Sequence, residues 1–80
     1  MDLRSCIRDV PDFPKKGILF RDITPLLASP EAMAESISRF KKIAYELEPD
    51  LVAGIESRGF LFGTPLAREL AAGFIPIRKP

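Results

Sequence analysis

The chain has 80 residues, 46% hydrophobic and 29% charged, with 12 basic against 11 acidic side chains and a net charge of +1. That is the composition of an ordinary globular domain, and the near-neutral balance provides no global field to draw the chain onto nucleic acid or a membrane surface. One cysteine and no histidine exclude an internal disulfide, a C-x-x-C site, a Ser-His or Cys-His nucleophile pair and an imidazole metal cluster.

At this length one domain, residues 1–80, is the limit. The apolar runs are only a few residues long, far short of the ~20 that span a bilayer. Met1-Asp2-Leu3-Arg4 lacks the apolar core of a signal peptide, and the lone Cys6 suits a reducing compartment. A soluble, cytoplasmic chain is expected.

In chain order, Leu3, Cys6, Ile7 and Val10 fall at helical spacing and predict a short helix over residues 2–10, capped by Asp2 and ended by Pro11. Residues 11–17 read as an ordered, turn-rich loop whose Phe13 wants burial. Gly17 to Ile23 reads as a brief strand or an extended segment, and Thr24 to Ala28 allows one helical turn. The clearest element is a helix from Pro30 to Leu47. Ser29 is its N-cap, Pro30 takes the first position and Glu31 complements the dipole. Met33, Ile37, Phe40, Ala44 and Leu47 form its apolar stripe, with Met33 and Phe40 expected in the core. Ser36, Arg39, Lys41, Lys42 and Glu46 lie off that stripe and should be solvated.

Leu51 to Ile55 is a continuous apolar run, the signature of a strand covered on both faces. A second apolar-periodic segment follows, with Phe62, Leu66 and Leu70 on one side, joined by Phe60 and Ala67. It either begins near Gly63 or is kinked at Pro65, and Gly73 suits its C-terminal cap. Phe74 onward reads as a second strand, at an edge or irregular because of Pro76. The last three elements make a βαβ unit, so the fold class is α/β: helix, loop, helix, strand, helix, strand. Two parallel strands alone do not bury both faces of a sheet, so the chain reads as the front half of an α/β domain.

In open α/β sheets ligands bind beyond the carboxyl ends of the strands. There the sequence offers Glu56-Ser57-Arg58-Gly59 at a helix start and Arg78-Lys79 after the next strand. Backbone N–H groups, a hydroxyl and a bidentate guanidinium suit a phosphate or pyrophosphate, although cations at strand ends are also commonly just solvated. No GxGxxG and no GxxxxGK[ST] pattern occurs. Asp22 and Glu56 do not read as a general acid/base pair.

Three stretches carry a resemblance. Pro11-Asp12-Phe13-Pro14-Lys15-Lys16-Gly17-Ile18-Leu19-Phe20-Arg21-Asp22-Ile23-Thr24 and Val52-Ala53-Gly54-Ile55-Glu56-Ser57-Arg58-Gly59-Phe60-Leu61-Phe62-Gly63, with the final Pro76-Ile77-Arg78-Lys79-Pro80, resemble the adenine phosphoribosyltransferases from about Ile7 onward. The resemblance implies the type I phosphoribosyltransferase fold, usually a homodimer. It also implies the conversion of adenine and phosphoribosyl pyrophosphate to AMP and pyrophosphate, assisted by Mg2+. It assigns Leu19, Phe20 and Arg21 to the adenine pocket, with Phe20 on the purine ring and the backbone of Leu19 and Arg21 on its polar edge. Ser57 and Arg58 would cradle pyrophosphate, and Arg78 with Lys79 would add positive charge as it leaves.

The family's acidic pair and Thr-Gly-Gly-Thr loop, and the lid with its acidic and aromatic residues, have no counterpart in these 80 residues. The segment is therefore expected to hold neither the catalytic residues nor a metal ligand, and to be inactive alone. Other readings are a non-catalytic module that binds or dimerises, or a phosphoribosyltransferase for another purine.

Overall fold

The computed structural model describes all residues, Met1–Pro80. They fall into two compact units, Met1–Ser36 and Ile37–Pro80, and each has its own small sheet.

In the first unit a single 3-10 turn, Leu3–Cys6, is capped by the Asp2 carboxylate, which accepts from the Arg4 N–H at 3.0 Å. The chain then enters strand β1, Arg8–Pro11, which pairs antiparallel with β2, Leu19–Asp22. The helix expected over residues 2–10 is thus cut to its first turn. Its helical spacing is overridden because Val10 finds a cross-strand partner in Phe20, and pairing outweighs weak local propensity. Pro11, expected to stop a helix, instead ends an edge strand, where a missing N–H is tolerated.

The loop between the strands is ordered, as the sequence suggests. Gly17 donates to the Asp12 carboxylate at 2.9 Å and adopts φ +87°, which glycine reaches without steric cost. Phe13 is not buried: it remains 50% exposed and meets Phe20 edge-on, with ring centroids 5.3 Å apart. Helix α1, Thr24–Leu27, follows β2 and buries Leu26.

Helix α2, Pro30–Ala44, starts in the first unit and ends in the second. Ser29 caps it as expected, its hydroxyl accepting from the Ala32 N–H at 3.1 Å. The last turn tightens into a 3-10 stretch, Tyr45–Leu47, closed by Glu48 at φ 47°, so the α-helix stops before Leu47. The buried face also differs from the expected stripe. Ala32, Ser36 and Ile37 are buried, while Phe40 is 46% and Leu47 77% exposed. Ser36 tolerates burial because its hydroxyl donates to the Ala32 carbonyl at 2.8 Å, which satisfies the polar group within the helix. Lys41, expected to be solvated, is only half exposed and pairs with Glu69 at 3.8 Å.

In the second unit β3, Leu51–Ile55, and β4, Gly73–Ile77, pair in parallel with Leu51 opposite Gly73 and Ile55 opposite Ile77. Between them runs α3, Arg58–Glu69, which packs on one face of the pair. The expected βαβ unit is therefore present, but its sheet is covered on one face only: Val52 and Gly54 turn inward while Ile55 stays 67% exposed. Helix α3 begins at Arg58, well before Gly63, and carries Pro65 inside it. What holds the first turns is close packing on β3. A Cβ built on Gly54 would lie 2.8 Å from the Gly59 carbonyl oxygen, and one on Gly63 would lie 2.4 Å from the Phe74 ring. Phe74 thus fills a pit that only glycines leave open, and its ring meets Phe60 edge-on at 5.9 Å.

At the far end of α3 the expected glycine cap is displaced. Ala71, not Gly73, takes the left-handed position at φ 53°. Ala71 and Ala72 donate to the Arg68 and Ala67 carbonyls at 3.2 and 2.8 Å, the bond pattern of a Schellman cap. Gly73 instead opens β4 and donates to the Asp50 carbonyl at 3.1 Å.

Candidate functional site

The first unit offers a strand edge. Pro11 has no N–H, so the Pro11–Leu19 pair cannot exchange two hydrogen bonds, and alternation along an antiparallel ladder gives the closed pairs to Val10–Phe20 and Arg8–Asp22. Leu19 and Arg21 then direct their backbone N–H and C=O groups to the outer edge of β2. Their side chains share one exposed face, and the Arg21 guanidinium sits 3.9 Å from Asp9. The Phe20 side chain lies on the other face, half-buried, with Phe13, Val10, Arg8 and Asp22 around a hollow of about 330 Å³.

Asp22 anchors this edge, a role its sequence context did not reveal. Its carboxylate accepts from the Thr24 N–H and hydroxyl, both at 2.9 Å, and from Arg8 at 2.5 Å. The two Thr24 bonds first, and the Arg8 guanidinium after them, hold the carboxyl below the usual carboxylate range. An Asp two residues ahead of a Thr at a helix start was the available signal, since short side chains there commonly bond the backbone two residues on.

The second unit brings two of the expected groups together. Ser57 precedes α3 and Arg58 opens it, while Arg78 and Lys79 follow β4 directly. Both lie at the carboxyl ends of paired parallel strands, and Glu56 joins them. Its N–H donates to the Ile77 carbonyl at 2.9 Å, and its carboxylate accepts from the Lys79 N–H at 2.7 Å. The Glu56–Ser57 peptide is cis. This junction has the donor set for an anion: main-chain N–H groups at a helix start, a hydroxyl and three cationic side chains.

A hollow of about 480 Å³ in this unit is a different feature. Phe40, Val52, Ile55, Phe62 and Leu66 line it, and Arg58 is the one charged residue on its wall. Its apolar lining does not suit an anion. Among the described residues no group of three His, Cys, Asp or Glu is arranged to hold a metal ion, and no helix is long and apolar enough to cross a membrane.

No family model matches the chain. Individual proteins do. The chain is 66% identical over its 80 residues to the adenine phosphoribosyltransferase of Synechococcus sp. (strain CC9605), covering all of this chain and 46% of that protein. Its fold superposes on the crystal structure of adenine phosphoribosyltransferase from Thermoanaerobacter pseudethanolicus with a TM-score of 0.90 at 51% identity, over 98% of this chain and 46% of that one. It superposes equally on the Saccharomyces cerevisiae enzyme, solved with D-2,5-dideoxy-2,5-imino-altritol 1,6-bisphosphate and adenine. There the TM-score is 0.89 at 42% identity, over 96% of this chain and 48% of that one. The chain spans about half the length of the relatives it matches.

Proposed function

We propose that this chain, which matches the N-terminal part of adenine phosphoribosyltransferases along its whole length, supplies the base-reading and pyrophosphate-holding elements of such an enzyme. The reaction is adenine with phosphoribosyl pyrophosphate to AMP and pyrophosphate. The observation that carries this reading is the junction at the carboxyl ends of β3 and β4, where Glu56 ties the Ser57–Arg58 turn to Arg78 and Lys79.

The chemistry follows from the two regions taken separately. As the bond from ribose to pyrophosphate breaks, negative charge collects on the leaving group and positive charge on the sugar. Arg58, Arg78, Lys79 and the N–H groups at the start of α3 are suited to meet that growing negative charge, and preorganised donors of this kind are a major source of rate enhancement. The outer edge of β2 is suited to reading a base. Main-chain groups of Leu19 and Arg21 are fixed donors and acceptors, so they favour the amino group and ring nitrogens of adenine. A 6-oxopurine would meet them with the opposite pattern. In this reading Phe20 packs on the purine, its ring steadied by Phe13. The adenine held by the yeast relative supports the choice of base.

Magnesium is proposed to travel with phosphoribosyl pyrophosphate, whose phosphate oxygens suit it. The enzyme is proposed to act as a cytoplasmic homodimer without nucleic-acid or membrane partners. The 80 residues alone are proposed to be inactive, because they lack the Thr-Gly-Gly-Thr element that holds the ribose phosphate in the family. The test is AMP formation from adenine, phosphoribosyl pyrophosphate and magnesium, by the full chain carrying these residues and by the 80-residue polypeptide. The first should turn over, and a large excess of hypoxanthine, guanine or xanthine should not displace adenine. Turnover by the 80-mer would contradict the inactivity, and faster use of another purine would contradict the choice of base.

A further inference from the structure

A carboxylate in the middle of an anion site asks for an explanation, since a free charge beside Arg58, Arg78 and Lys79 would repel pyrophosphate and compete for its cations. Glu56 is not free. In a parallel ladder a residue donates its N–H to one partner and accepts, at its own carbonyl, from the N–H two residues further along the partner strand. Glu56 makes the first of these bonds in the ordinary way, to the Ile77 carbonyl at 2.9 Å. The second would bring the Lys79 N–H to the Glu56 carbonyl, but there the chain turns toward α3. The Lys79 N–H donates instead to the Glu56 side-chain oxygen Oε1 at 2.7 Å, a short, charge-assisted bond.

From this we infer that Glu56 is a positioning residue, whose carboxylate stands in for its own main-chain carbonyl and carries the β3–β4 ladder one rung beyond the end of the sheet. It thereby sets the spacing at which the β4 exit presents Arg78 and Lys79 to the Ser57–Arg58 turn. The inference deepens the pyrophosphate reading above and rests on it. The choice of acid matters too: the side chain must reach past the turn that removes the carbonyl.

The test compares Glu56→Ala with Glu56→Gln in the full chain carrying these residues. Gln keeps a carbonyl acceptor of the same reach, whereas Ala keeps none. Loss of a charge-assisted hydrogen bond predicts that Glu56→Ala raises KM for phosphoribosyl pyrophosphate about tenfold or more, with KM for adenine within about twofold. Glu56→Gln should recover most of the loss. The Lys79 amide proton resonance should move upfield in Glu56→Ala and stay near its wild-type position in Glu56→Gln. Equal rises in both KM values, no rise in either, or no recovery by Gln would overturn the inference. Should the wild-type chain make no AMP, the enzymatic reading fails. The Lys79 resonance then decides the clamp alone, and an unmoved resonance in Glu56→Ala would overturn it.

Discussion

The β1–β2 hairpin and the β3–β4 pair are both two-stranded sheets, the first of half-charged strands and the second of apolar runs, and they expose their polar chemistry in opposite ways. In the hairpin, pairing fixed by Pro11 turns the main chain of Leu19 and Arg21 to the outside, while the side chains at those positions are exposed and weakly engaged. In the parallel pair most of the main chain is spent on the ladder and on α3, and the proposed anion donors are Ser57, Arg58, Arg78 and Lys79 with the N–H groups at the start of α3. A recognition edge made of main chain tolerates side-chain change. A recognition end made of side chains depends on the packing that aims them.

The comparison is broken most severely at the glycines. Gly54→Ala would drive a Cβ to 2.8 Å from the Gly59 carbonyl oxygen, a backbone atom that cannot swing aside. Overpacking of this kind predicts a loss of about 3 kcal/mol in urea unfolding. A neutral result would show that α3 can shift on β3 and that the strand ends are not rigidly aimed.

In the hairpin the largest effect should come from Asp22. Its carboxyl is held below the ordinary range by Thr24 and then Arg8, so its contribution to stability is full above that range and falls away as pH drops through the folded-state value. Asp22→Asn should flatten the acid side of the curve of melting temperature against pH between about pH 2 and 5. An unchanged curve would remove Asp22 as the anchor of the edge.

A smaller effect of opposite sign is expected at the cap of α3. Ala71 sits at φ 53°, where an L-residue costs roughly 1 kcal/mol or more. Ala71→Gly should raise stability by about 0.5–1 kcal/mol once the glycine's extra unfolded-state freedom is subtracted. The smallest effect is predicted at Arg21. Its ion pair with Asp9, at 3.9 Å and exposed, contributes little, so Arg21→Ala should leave KM for adenine within about twofold if the main chain does the reading.

The two sheets were also unequally legible in the sequence. The unbroken run Leu51–Ile55, the helix signals after it and the run around Phe74 were enough to read β3, α3 and β4 and their parallel pairing. Ser29-Pro30-Glu31 marked the start of α2 to the residue. The hairpin was missed because Leu3, Cys6, Ile7 and Val10 keep a helical period, whereas the reason for β1 is a partner about ten residues on, at Phe20. The buried side of α2 was misjudged at Ser36 and Phe40 because a side chain's burial depends on its surroundings as well as its period. Ser36 also satisfies its own hydroxyl. The cationic residues were legible by type and by their place at strand ends. The role of Glu56 was not, since it depends on an N–H 23 residues away. Nor was the cap at Ala71, where glycine was the natural expectation and the chain accepts strain instead.

The central claim is that base and pyrophosphate are handled by separate means, the first by main chain on the edge of β2 and the second chiefly by cationic side chains at the ends of β3 and β4. The most direct measurement is the pair of KM values for adenine and phosphoribosyl pyrophosphate in Arg58→Ala of the full chain. Loss of a charge-assisted contact predicts a rise of about tenfold or more for phosphoribosyl pyrophosphate, with adenine within about twofold. Equal losses for both substrates would contradict the account.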